Sequence, residues 1–124
     1  MSGSQAEVVL RLAKLAGEVA FAHYRDHLTG KRLAVEHKGD ASPVTAADRA
    51  AELAVRELID REFPGHGVLG EEFGRTRPDA KRFFCIDPID GTKAFTAGAP
   101  LWGSPVALTE GGGAIAGAAC FPVT

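Results

Sequence analysis

The hydrophobic period of this chain changes once, at Phe63-Pro64-Gly65, and that change constrains the fold more than any other feature. Ahead of the break apolar residues return at helical spacing; behind it they come in short runs closed by glycine, proline or acid. Ser4 and Glu7 form an S-x-x-E capping box, after which Val8, Leu12, Leu15 and Val19 mark a long amphipathic helix to about Leu28, ended by Thr29 and Gly30. Thr45 reads as the N-cap of a second helix, with Asp48 three residues on and Ala50, Leu53, Ala54 and Leu58 along it. The polar segment between the helices, Lys31 to Pro43, has weak extended character around Leu33 to Val35 and reads as a strand or hairpin edge.

Behind the break, Gly67 to Gly70 is a short apolar run followed by Glu71-Glu72, and Arg82 to Ile86 is a second, followed by Asp87. Both read as buried strands with acidic C-terminal ends, with a loop from Gly74 to Ala80 between them. Leu101 to Thr109 and Ala114 to Phe121 read as a hairpin turning at Gly111-Gly112-Gly113. A length of 124 residues suits one domain, and 45% apolar with 24% charged residues is ordinary for a globular one. Lys and Arg total 14 against 16 Asp and Glu, so a net charge of -2 offers no field for nucleic acid or an anionic membrane. No stretch approaches the roughly 18 apolar residues of a spanning helix, and Met-Ser-Gly-Ser-Gln is unlike a signal peptide. Cys85 and Cys120 lie in apolar runs and read as buried, reduced thiols, so the expected compartment is the cytoplasm.

The chemistry is concentrated in acids at element ends: Asp48 at a helix start, Glu71 after one strand, and Asp87 and Asp90 around Pro88 after another. Any one of them, taken alone, reads as a cap or turn residue. Together they would repel one another unless a hard divalent cation, Mg²⁺ first, sat among them. In Asp87-Pro88-Ile89-Asp90-Gly91-Thr92 the proline pins the turn, the Ile89 carbonyl lies between the two aspartates, and Gly91-Thr92 can open a short helix with free N–H groups. Carboxylates for metal beside amides for an anion make a phosphate site.

Three segments, Ser42 to Glu52 (SPVTAADRAAE), Val68 to Gly74 (VLGEEFG) and Cys85 to Phe95 (CIDPIDGTKAF), resemble the inositol monophosphatase family of Mg²⁺-dependent, lithium-sensitive phosphatases. Gly98 to Gly103 (GAPLWG) is similar to the histidinol-phosphate phosphatase branch, whereas inositol-phosphate members usually carry Asn where Ala94 follows Lys93. Members acting on phosphoadenosine phosphates share a Lys at the Lys93 position but lack the PLWG segment. The resemblance implies a layered α+β fold, two helices packed on a largely antiparallel sheet, with residues 1–124 forming the N-terminal half of the family's domain and the C-terminal half absent.

Carried onto this sequence, the resemblance implies that Glu71, Asp87 and the Ile89 carbonyl bind one Mg²⁺, and Asp87 and Asp90 a second. Thr92 and Glu72 would orient the attacking water, Asp48 would hold the Thr92 hydroxyl or a metal-bound water, and the Gly91 and Thr92 amides would bind phosphate. The implied activity is hydrolysis of a small phosphate monoester, histidinol phosphate first, by metal-activated water. The alternatives are inositol phosphate or phosphoadenosine phosphate as substrate, or a truncated, non-catalytic fragment that binds metal or a partner. Relatives carry another metal-binding aspartate in a W-D-x-A-like motif; here Trp102, the only tryptophan, precedes Gly103. Relatives also leave a homodimer as the oligomeric form to test.

Other residues carry weaker readings. His23 and His27 have zinc-ligand spacing without a third ligand, so a solvated helix face is expected. His37 and His66 fall in polar turns, where a surface role is expected ahead of a place at the mouth of the site, and Lys38 stands equally for a phosphate contact and a solvated lysine. Trp102 reads as a packing anchor ahead of a substrate wall, and Arg75 and Arg77 as members of a mobile, solvated loop.

Overall fold

The computed structural model describes residues 4–29 and 43–123. Helix α1 spans Gln5–Leu28 and α2 spans Pro43–Glu62. Strands β1 (Gly67–Gly70), β2 (Gly74–Thr76) and β3 (Arg82–Ile86) follow, then the short helix α3 (Thr92–Ala97) and the hairpin β4 (Ser104–Glu110) and β5 (Gly113–Cys120). The strand expected around Leu33 to Val35 lies outside the described residues, as do His37 and Lys38.

The capping box at the start of α1 forms in both directions. The Glu7 N–H donates to Ser4 Oγ at 3.2 Å and the Ser4 N–H to Glu7 Oε1 at 2.8 Å, an arrangement worth about 1 kcal/mol. Helix α1 buries Val8, Val9, Leu12, Ala13, Ala16, Ala20 and Tyr24, packing on α2 and against β4 and β5. Helix α2 begins at Pro43, two residues before the cap that spacing predicts at Thr45. Proline suits a first helical position, where its missing N–H leaves nothing unpaired, so Thr45 falls inside the first turn. Its buried face holds two parallel rows: Ala47, Ala51, Val55 and Ile59 join the core, and beside them Asp48, Glu52 and Arg56 are buried as well.

The strands form one five-stranded sheet in the order β2-β1-β3-β4-β5. Pairings β1–β2, β3–β4 and β4–β5 are antiparallel, while β1–β3 is parallel. Side chains alternate across it. Val68, Phe84, Ile86, Val106 and Leu108 face the helices and complete the core. The register row Leu69, Cys85, Ala107 and Gly117 faces the other way, and Leu69 there is 43% exposed.

Several expectations are corrected. Gly74 to Thr76 is a strand rather than part of a loop, because Val68 to Gly70 offers it an antiparallel edge. Its Arg75 lies 4.5 Å over the Phe83 ring and Arg77 pairs with Asp60 at 3.0 Å, so neither is merely solvated. His27 is a tether, its Nε2–H donating to the Thr96 carbonyl at 2.8 Å while its ring stacks on Phe95. His66 is half-buried between Phe63 and Phe84. The hairpin turn is Gly111-Gly112 alone, with Gly113 already in β5. Both cysteines are free, and half-buried rather than buried.

Candidate active site

The single parallel pairing assembles the acids. Gly70 pairs with Ile86, so the next residue on each strand, Glu71 and Asp87, leaves the sheet at the same edge. Neighbouring strands are about 4.8 Å apart, close enough for two carboxylates to share a cation. Glu71 is exposed, while Asp87 and Glu72 are half-buried.

The turn after β3 is held from behind. The Asp87 N–H donates to the Pro105 carbonyl at 3.2 Å, the Asp90 N–H to the Gly103 carbonyl at 2.7 Å, and the Gly103 N–H back to the Asp90 carbonyl at 3.0 Å. Ser104 Oγ donates to the Pro88 carbonyl. The turn therefore rides on the Trp102 to Pro105 segment, which places Asp90 exposed at the rim with Ile89 buried beneath it. Gly91 then caps α3 with φ of 95°, and a Cβ there would come within 2.9 Å of the Leu101 carbonyl oxygen, so only glycine fits. Gly91 and Thr92 lie exposed at the start of α3. Trp102 is fully buried against Tyr24 and Phe95, the packing anchor expected of it, and its indole N–H has no partner among the described residues.

From α2, Asp48 reaches the same acids. Burial, then the charges of Glu72, Asp87, Glu71 and Glu52, push its carboxyl up to about 7. Asp87 is also pushed up, by burial, then Asp90 and Glu71, with the Ile89 N–H drawing it partly back. Against this negative charge stand Arg49, 3.5 Å from Glu72, and Arg56, which pairs with Glu52 at 3.0 Å. Among the described residues, the acids of the site outnumber the basic groups set against them.

Its donors are all carboxylate or carbonyl oxygens, the set that fits a hard divalent cation such as Mg²⁺. Among the described residues, no three His, Cys, Asp or Glu side chains are gathered tightly enough to hold a metal as they stand. Backbone register brings Glu71 and Asp87 to one edge without closing the side chains round an ion. Nor does a hydrogen bond join Asp48 to Thr92 among the described residues. Glu52 and Arg56 escape sequence reading, since a Glu and an Arg four apart on a helix ordinarily form a solvated pair. The one clue is that both fall on the row adjoining the apolar stripe.

These elements define a layered α+β domain with an acidic, oxygen-lined edge at the ends of two parallel strands. The sequence profile of the Inositol monophosphatase family matches residues 4–124. A histidinol-phosphatase from Mycobacterium tuberculosis is 48% identical over 99 residues, covering 76% of this chain and 38% of the relative. One from Chlorobaculum parvum is 40% identical over 116 residues, covering 94% of this chain and 43% of that protein. The solved structure of an inositol monophosphatase from Zymomonas mobilis superposes with a TM-score of 0.73 at 40% identity, covering 97% of this chain and 46% of that one. The chain belongs to the inositol monophosphatase family, and it spans less than half the length of these relatives.

Proposed function

We propose that the chain carries the metal-binding edge of a Mg²⁺-dependent phosphomonoesterase acting on a small phosphate monoester, histidinol phosphate first. The observation that carries this reading is the Gly70–Ile86 register, which sends Glu71 and Asp87 out side by side into a group of acids that outnumber the basic groups among the described residues. Glu71, Asp87, Asp90 and the Ile89 carbonyl would hold the metal. When bound, Mg²⁺ supplies the positive charge that acidifies water and steadies phosphoryl oxygens. Glu72 and the Thr92 hydroxyl would orient the attacking water, and Asp48 would hold Thr92 or that water in place. The amides of Gly91 and Thr92 would receive the phosphate, with Lys38 a further candidate contact.

Histidinol phosphate is preferred because the 48% and 40% identical relatives are histidinol-phosphatases and because the PLWG segment is present. Inositol phosphate is the second reading, favoured by the likeness to the Zymomonas mobilis structure and disfavoured by Ala94. Residues 1–124 would form the N-terminal part of the family's domain. The test measures phosphate release from histidinol phosphate, myo-inositol 1-phosphate and phosphoadenosine phosphate with and without Mg²⁺. Low but metal-dependent turnover, greatest on histidinol phosphate and reduced at least about a hundredfold by Asp87→Asn, is expected. Metal-independent release, or full activity in Asp87→Asn, would overturn the mechanism. Tight Mg²⁺ binding with no turnover would favour the non-catalytic alternative.

A further inference from the structure

Glu52 is 0% exposed yet ionisable, and no part of the reading above uses it. Its Oε1 accepts the Glu72 N–H at 3.0 Å, and its Oε2 accepts the Phe73 N–H at 3.0 Å and Arg56 Nε at 3.0 Å. Arg56, 8% exposed, also donates through a terminal nitrogen to the Gly74 carbonyl, and its guanidinium lies 6.0 Å from the centre of the Phe73 ring. Two side chains one turn apart on α2 therefore grip the backbone of Glu72, Phe73 and Gly74, where the chain leaving β1 through Glu71 enters β2. The opposite wall is Gly70, where a Cβ would stand 2.3 to 2.6 Å from the Glu52 carboxylate atoms. Gly70 is thus the seat of that carboxylate as well as the last residue before Glu71.

A buried ion pair is a poor source of stability, because desolvating both charges offsets most of their attraction. What this pair supplies is geometry. The Glu71-Glu72 backbone would otherwise be an exposed turn, and every acid there would push its neighbours outward. We infer that Glu52, braced by Arg56, is a positioning residue that fixes the backbone of Glu72 and Phe73 and thereby sets the divalent-cation affinity of the edge formed by Glu71 and Asp87. The inference rests on the metal-site reading given above. Partners that orient metal ligands from behind typically change affinity about 10- to 100-fold when removed.

The test uses Mn²⁺, a paramagnetic ion with Mg²⁺-like ligand preferences, titrated into this chain by water-proton relaxation, together with amide hydrogen exchange without metal. In the wild type the Glu72 and Phe73 amides should exchange at least about a hundredfold slower than in an open turn. Glu52→Gln should speed those two amides at least about tenfold relative to the α2 amides, and weaken Mn²⁺ binding by a similar factor. Glu52→Asp, which keeps the charge but draws it back one methylene, takes its place in the comparison if Glu52→Gln does not fold. Unprotected Glu72 and Phe73 amides in the wild type, or exchange raised evenly over the whole chain in the variant, would overturn the inference. Mn²⁺ binding that Asp87→Asn abolishes and Glu52→Gln leaves intact would overturn it alone. A wild-type chain that binds no Mn²⁺ would overturn the metal-site reading with it.

Discussion

Asp48 is 8% exposed, and burial followed by the charges of Glu72, Asp87, Glu71 and Glu52 raises its carboxyl from 3.8 to about 7. A raised carboxyl means that, between those two values, the folded chain holds a proton that the unfolded chain has released. Stability from this group is therefore full below about pH 4 and is lost as pH rises through 7. Asp87 is shifted in the same direction and adds to the slope. His66 has the opposite sign: burial, then Arg82, lowers it from 6.5, so it favours unfolding as pH falls through that value. Comparing Asp48→Asn with wild type isolates the first effect. Urea unfolding of metal-free protein should show the wild type losing on the order of 3 kcal/mol from Asp48 between pH 4 and pH 8, with Asp48→Asn nearly free of that loss. Parallel pH profiles for the two proteins would show that Asp48 ionises normally. The sequence shows Asp48 at a helix start but not its burial, because the row Asp48, Glu52 and Arg56 faces inward only once α2 has docked.

At the level of elements, α1 helps to hold the C-terminal end of α3. Tyr24 Oη donates to the carbonyls of Gly98 at 2.8 Å and Ala99 at 3.1 Å, His27 holds Thr96, and Tyr24, Phe95 and Trp102 pack ring against ring. Tyr24→Phe keeps the packing and leaves those carbonyls short of a donor, so it should lower stability by about 1–2 kcal/mol in urea unfolding. An unchanged midpoint would mean water replaces the hydroxyl without cost. Gly91→Ala should cost more, about 2–4 kcal/mol, since the φ of 95° and the Leu101 carbonyl at 2.9 Å both exclude a side chain. A loss under about 0.5 kcal/mol would show that this turn relaxes freely.

These elements were largely legible in the chain: the capping box, the breaker and the acid-ended runs lie where spacing places them, and the glycine hairpin does so to within a few residues at its ends. Strand β2 was not legible, because Gly-Arg-Thr has no apolar alternation and depends on the edge of β1. Nor was the direction of pairing, since Val68 to Gly70 and Arg82 to Ile86 would read alike in either orientation. Yet that parallel pairing is what sets Glu71 beside Asp87. The acids could be found in sequence; their convergence could not.

For the whole molecule, the long helices among the described residues pack on one face of the sheet. On the other, Leu69 at 43% and Ile115 at 41% exposure accompany Cys85 and Ala107, an apolar area of the kind that seeks cover. At its margin β5 pairs only with β4 among the described residues. Residues Gly113 to Cys120 contain no charge and no proline, the devices that usually keep a free edge from pairing with another chain. Relatives carry more than twice this length, so the same face is available there to further chain. In these 124 residues it should instead drive self-association, detectable by sedimentation as a rise in apparent mass with concentration in the micromolar range. Ile115→Lys places a charge on the strand that bears both the open face and the free edge, at a position already in contact with water. It should shift the chain toward monomer while changing the unfolding free energy by less than about 0.5 kcal/mol. Association that persists in Ile115→Lys would place the contact elsewhere, and a wild type that stays monomeric throughout would mean that this face tolerates water as it is.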